Sequence, residues 1–117
     1  GWRGTRGGIV REAVARMQDV FGSDPAELNA ALGPCIRPCC YTVGQEFCDL
    51  FPNDVKRQRD RIVLDLAGAN VRQLLQGGVQ ESQIYDCRAC TCCDTRFFSY
   101  RREGLRCGRN LALMVME

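Results

Sequence analysis

Histidine is absent from all 117 residues. With it go the Ser-His-Asp triad, the Cys-His dyad, the HExxH helix and every zinc site built on imidazole. Lysine is nearly absent too: Lys56 is the sole lysine among 16 basic residues, and the others are arginine. No apolar run approaches the roughly 20 residues that span a bilayer, which excludes a transmembrane helix. No basic, apolar, small-residue opening marks a secretory signal either. These two absences predict a cytoplasmic protein with no membrane partner. Internal repeats, low-complexity tracts and linkers are missing as well. Methionine is missing from position 1, where the abrupt Gly1-Trp2-Arg3-Gly4 reads as a cut end.

What is present has an ordinary globular balance, 45% hydrophobic and 26% charged, within the range of one domain. The net charge of +2 is too small for general nucleic-acid binding. The arginine bias fits a protein that holds phosphate or carboxylate through planar, bidentate forks; a genome favouring arginine codons would give the same bias. Cysteine numbers 9. An odd count rules out complete pairing within the chain, and without a secretion signal the thiols are expected to be reduced, buried or metal-bound.

Apolar residues Ile9, Val10, Ala13, Val14, Met17, Val20 and Phe21 recur at helical spacing, so 9–21 is predicted as a helix. Gly7-Gly8 at its start would leave amides free for an anion, and Gly22 suits its end. Ser23-Asp24-Pro25 reads as a cap before a short turn or helix. Asn29 to Leu32 is a strand candidate, and Gly33-Pro34 with Pro38 makes a constrained loop. Thr42 is expected to cap a helix from Val43 to Phe51, ended by Pro52 and a polar loop from Asn53 to Asp60. Ile62 to Leu64 suggests a strand end. Asp65 caps a further helix along Leu66, Ala67, Asn70, Val71, Leu74 and Leu75, closed by Gly77-Gly78. Gln83 to Cys87 and Asn110 to Met116 are the remaining strand candidates, the latter apolar enough to be covered on both faces. The class is α/β or α+β, a mixed sheet flanked by helices.

Three constellations carry chemistry. Cys87-x-x-Cys90 with Cys92-Cys93, and Cys35, Cys39 and Cys40 upstream, could build a tetrathiolate zinc site; buried, unliganded thiols fit the same residues. Phe97-Phe98-Ser99-Tyr100-Arg101-Arg102-Glu103-Gly104 offers a stacking wall beside two guanidiniums, extended by Arg106 and Arg109, or else a strand end with solvated arginines. Trp2-Arg3 offers an aromatic plane beside a cation. The loop from Gly33 to Tyr41 is stiffened by prolines and stands where ligands often bind in α/β domains, although a plain connection would look alike.

In this order, Gly1-Trp2-Arg3-Gly4, Gly33 to Val43, and Cys90-Thr91 with Phe97 to Arg109 resemble the laccase-domain family. Asp65-Leu66, Asn70, Gln73-Leu74 and Gly78-Val79 fall where that family has them. The family was long called multicopper polyphenol oxidoreductase and has since been described as purine nucleoside phosphorylase with adenosine deaminase activity. Its members are longer, and the resemblance implies that this chain is the C-terminal portion of their domain, incomplete for catalysis. It also implies a catalytic metal, zinc or alternatively copper, held by two histidines and one cysteine that would all precede Gly1. None of the nine cysteines would then be that ligand, and the absence of histidine is expected. The substrates implied are a purine nucleoside and phosphate. Arg3, Ser99, Arg101 and Arg102 are the positions nominated to bind them.

Arg37, Thr42, Glu103 and Cys107 depart from the family pattern, and Cys92-Cys93 stands where many relatives have one cysteine. Two rivals remain: a cysteine-rich zinc-binding interaction module without catalysis, and a copper-dependent phenol oxidase. A half-domain would also expose apolar faces, predicting association through them.

Overall fold

A computed structural model describes residues 1–115. Helices α1 (Trp2–Arg6) and α2 (Ile9–Phe21) open the chain. Between them Gly8 takes the left-handed φ of 74°, a conformation that costs little without a Cβ. The Gly7 and Gly8 amides donate to the Arg3 and Thr5 carbonyls, so they are not the free anion donors expected. Gly22, at φ 66°, ends α2: its amide and that of Ser23 fold back onto Gln18 and Met17. Asp24 caps a 3-10 turn by accepting from the Ala26 amide at 2.9 Å.

Two small sheets follow. Strand β1 (Ala30–Leu32) pairs in parallel with β5 (Ile84–Asp86), Ala30 opposite Ile84 and Leu32 opposite Asp86. The antiparallel sheet has the order β2 (Thr42–Val43), β4 (Arg61–Leu64), β3 (Val55–Gln58). Between the halves of that sheet lies α3 (Phe47–Leu50), and α4 (Leu66–Gln76) returns the chain to β5. Near the end comes the short α5 (Tyr100–Glu103). One parallel and one antiparallel sheet, flanked by helices, agree with the expected class of combined α and β structure.

Helix α4 divides the core. One cluster gathers Tyr41, Phe51, Leu64, Leu66 and Ala69, with Trp2 and Phe47 packed against it. The other gathers Val14, Leu74 and Val79, with Leu32 and Ile84 alongside. Asp65 caps α4 by accepting from the Gly68 amide at 2.9 Å, as the sequence predicts.

Three expectations are corrected. Val43 to Phe51 is not one helix: Thr42 and Val43 pair with Val63 and Ile62, and helix begins only at Phe47. Both residues are β-branched, and a free edge on β4 gives them a ladder that a helix would forgo. The polar loop 53–60 contains β3, whose Lys56, Arg57 and Gln58 side chains are exposed. Charged residues suit an edge strand, and the Arg59-Asp60 turn, with Arg59 at φ 52°, fixes the hairpin. Residues 110–115 form no strand. Asn110 spends its side chain on both backbone groups of Phe98, at 3.0 and 2.9 Å, while Leu111, Leu113, Met114 and Val115 are exposed. A strand requires backbone partners, and among the described residues this segment meets none. Met116 of that expectation lies outside the described residues.

Candidate functional site

The aromatic and arginine residues of the two chain ends meet at one side of the first core cluster. Helix α1 is docked on α4 by polar contacts: Asn70 Nδ2 donates to Thr5 Oγ1 at 3.0 Å and Gln73 Nε2 to the Thr5 carbonyl at 2.7 Å. That docking sets Trp2 edge-on against Phe47, with centroids 5.2 Å apart, and Phe47 stacks on Phe51 at 6.1 Å. The Arg3 guanidinium lies 4.5 Å above the Trp2 ring. From the far end of the chain, Arg101 stands 5.3 Å above the Tyr41 ring and donates to the Thr42 carbonyl at 2.8 Å. Burial pushes the Tyr41 phenol up, while Arg101 and then Arg3 pull it part of the way back. Cations from opposite ends of the sequence therefore act on one phenol, Arg101 from directly over its ring and Arg3 from over the neighbouring Trp2.

The other nominated residues face elsewhere. Arg102 donates to the Thr91 and Cys92 carbonyls at 2.9 and 3.0 Å, to Phe97 O at 2.7 Å and to Glu103 Oε1 at 2.7 Å. With its donors so engaged it acts as a strut between α5 and the preceding loop. Ser99 is buried, and its carbonyl accepts from the Arg102 and Glu103 amides at 3.1 and 2.8 Å. Tyr41 carries no signal of its own in the sequence: residue type gives no sign that a tyrosine 60 positions from an arginine will lie beneath it. Arg37, at odds with the family pattern, forms a two-pronged pair with Asp86 at the end of β5. This joins the 35–41 loop to the strand beside it.

Cysteines meet on the opposite side of that loop. Past β1 and β5 the parallel pairing resumes at a single bridge, Cys35 opposite Cys90, with the Thr91 amide on the Cys35 carbonyl at 3.0 Å. A turn closed by the Cys40 amide on the Arg37 carbonyl, at 2.9 Å, presents Cys39 and Cys40. A second, closed by the Asp94 amide on the Cys90 carbonyl at 2.9 Å, presents Cys90 and Cys93. The four Sγ atoms all lie within 4.8 Å of one another. Of the thiols considered from sequence, Cys35, Cys87 and Cys92 stand outside this group. Burial raises the Cys90 thiol, but the backbone amides of Cys93, Arg37 and Cys92 and the Cys39 thiol outweigh it, lowering the group to about 6. Cys40 is raised, first by its contact with Cys93 and then by burial.

The family described as multi-copper polyphenol oxidoreductase laccase matches residues 1–117. The chain belongs to this family. Among similar laccase-family proteins, the purine nucleoside phosphorylase YlmD of Geobacillus stearothermophilus is 40% identical over 97% of the chain and 45% of its own length. Adenosine deaminase RL5, from an unknown prokaryotic organism, is 34% identical over 93% of the chain and 45% of its own length. The crystal structure of G. stearothermophilus YlmD superposes with a TM-score of 0.80 at 39% identity, covering 88% of this chain and 42% of that one. That of Bacillus licheniformis YfiH gives 0.81 at 33% identity, again covering 88% and 42%. The chain spans about half the length of the curated relatives it matches.

The histidine-containing ligand set that the laccase-family resemblance implies is not met by the residues present. Histidine is absent, and the donors around Tyr41 are two guanidiniums and a phenol, which disfavour a cation and favour an anion. Among the described residues no helix is long and apolar enough to cross a membrane.

Proposed function

We propose that this chain is the C-terminal portion of an enzyme acting on purine nucleosides, and that Arg3 and Arg101 bind the phosphate that such an enzyme consumes. The observation that carries the reading is 40% identity over 97% of the chain to a protein named purine nucleoside phosphorylase. The convergence of Arg3 and Arg101 on Tyr41 supports a place for the anion. In phosphorolysis a phosphate oxygen forms a bond to the anomeric carbon as the bond from that carbon to the purine nitrogen breaks. The electron pair leaves with the base, which takes up a proton, and the products are a sugar 1-phosphate and the free purine. Cations that bind phosphate hold the dianion in place for its attack on the neutral nucleoside, while the aromatic faces of Trp2 and Tyr41 keep the guanidiniums in place. Ser99, the buried residue at the start of α5, and Arg102, gripping three carbonyls, hold the helix that carries Arg101.

The similarity to an adenosine deaminase supports hydrolytic deamination of adenosine as a second activity of the same enzyme. The full enzyme would be cytoplasmic and would carry zinc, or alternatively copper, on residues outside this sequence, supplying the Lewis acidity that such chemistry uses.

The test is turnover by the natural full-length protein. Inosine plus phosphate should yield hypoxanthine and ribose 1-phosphate, adenosine without phosphate should yield inosine, and a phenol should be left unchanged. Phenol oxidation without nucleoside cleavage would favour the oxidase reading instead.

A further inference from the structure

We propose that Cys39, Cys40, Cys90 and Cys93 bind one zinc ion in a closed tetrathiolate site that ties the 37–41 loop to the 90–94 loop. The site is separate from any catalytic metal of the full enzyme.

Geometry is the first argument. Four thiolates at a Zn–S distance of about 2.3 Å form a tetrahedron whose S···S edges are about 3.8 Å. Here Cys39 and Cys93 sulfurs are 3.6 Å apart, those of Cys40 and Cys93 are 3.3 Å apart, and all four Sγ atoms lie within 4.8 Å. A single ion at the centre needs sulfur separations to change by no more than about 1 Å. A disulfide, at about 2.05 Å, would use one pair and leave two thiols without a role.

Chain placement is the second. Cys90-x-x-Cys93 has the two-residue spacing typical of zinc ligands, and the turn closed by the Asp94 amide on the Cys90 carbonyl brings both sulfurs into the cluster. The second pair, Cys39-Cys40, is adjacent in sequence, and the tight turn after Arg37 lets both sulfurs reach the same point. The pairs are 50 residues apart and are brought together by the Cys35–Cys90 bridge and the Arg37–Asp86 pair. All four ligand positions come from protein, leaving none for substrate, which is the mark of a structural site.

The consequence reaches the arginines. Arg101 rests on Tyr41 and Thr42, which follow the first pair directly, and Arg102 holds the carbonyls of Thr91 and Cys92 within the second. Fixing the two loops against each other fixes both ends of the α5 platform.

Metal content of the natural full-length protein, purified under reducing conditions, tests this by elemental analysis. Cys40→Ser/Cys93→Ser should contain one zinc per chain less than the wild type, whereas Cys48→Ser/Cys107→Ser, outside the cluster, should match it. Replacement of zinc by cobalt should give intense sulfur-to-metal charge-transfer absorption, of which the first variant keeps only the weak part due to a single-thiolate catalytic site. Should that variant not fold, Cys39→Ser at an exposed position leaves three thiolates, and a chelator should strip one zinc equivalent from it faster than from wild type. Equal zinc content and equal cobalt spectra in wild type and cluster variants would overturn the proposal. So would an equivalent of iron, not zinc, lost with the cluster, or a metal-free Cys40–Cys93 disulfide found by mass under non-reducing conditions.

Discussion

At the scale of single residues, charge partners decide which arginines are available. Arg37 and Asp86 satisfy each other, and the guanidinium holds the Asp86 carboxyl below its ordinary value against the opposing effect of burial. A carboxyl whose folded pKa is depressed contributes stability above its unfolded value near 3.9, and the contribution fades as pH falls through the folded value. Arg37→Met should therefore cost about 2 kcal/mol at pH 7, the range of a charge-assisted hydrogen bond. The deficit should shrink progressively in urea titrations carried to pH values below the ordinary carboxyl value. A deficit unchanged by pH would mean that Arg37 acts through packing alone. Arg101 and Arg102 separate by the same logic. Arg101→Ala should raise the KM for phosphate about tenfold, corresponding to about 1.4 kcal/mol, with little change in melting temperature. Arg102→Ala should lower the melting temperature first, because carbonyls of the 91–97 segment lose their donor. Equal KM increases from both, at unchanged stability, would contradict the division drawn between them.

Among the elements, those whose instructions are local follow the sequence closely. Helix α2 runs from Ile9 to Phe21 and α4 from Leu66 to Gln76, because an apolar stripe, a cap and a terminating glycine each act within a few residues. Two substitutions test those signals. Gly22→Ala forces a Cβ into the left-handed region and should cost about 1–2 kcal/mol; Asp65→Ala removes the bond to the Gly68 amide and should cost about 1 kcal/mol. Thermal denaturation of each variant reads both. Segments whose structure depends on a neighbour were less legible. Lys56 and Arg57 read as loop because nothing nearby in sequence reveals that β4 will offer an edge, and Thr42 reads as a helix cap because its partner, Val63, is 21 residues away. Helix α1 is illegible for a related reason: five residues, one of them glycine, carry no periodicity, and the helix is held by Asn70 and Gln73.

Over the whole molecule, apolar surface is left open. Phe21 is 73% exposed and Leu111, Leu113, Met114 and Val115 are each more than 80% exposed. A groove of about 670 Å³ runs between α2, α4 and β1, lined by Ile9, Val10, Met17 and Leu28 among others. Exposed apolar side chains beside an apolar groove are a common basis for association. The 117-residue chain expressed alone should therefore self-associate, which sedimentation velocity would register as species heavier than 13.1 kDa. A compact monomer across the micromolar range would show that these surfaces tolerate water.

The sequence by itself determined the family, the two long helices with their caps, the mixed class and the shortlist of arginines and cysteines, because motif order and periodicity are properties of neighbours along a chain. Only the tertiary structure decided which members of that shortlist act together. It brought Arg3 and Arg101 to Tyr41, turned Arg102 onto carbonyls, and chose Cys39, Cys40, Cys90 and Cys93 from nine cysteines. The reason is topological: a parallel pairing of β1 with β5 lays two loops side by side that are separated by half the chain, and no local spacing encodes that meeting.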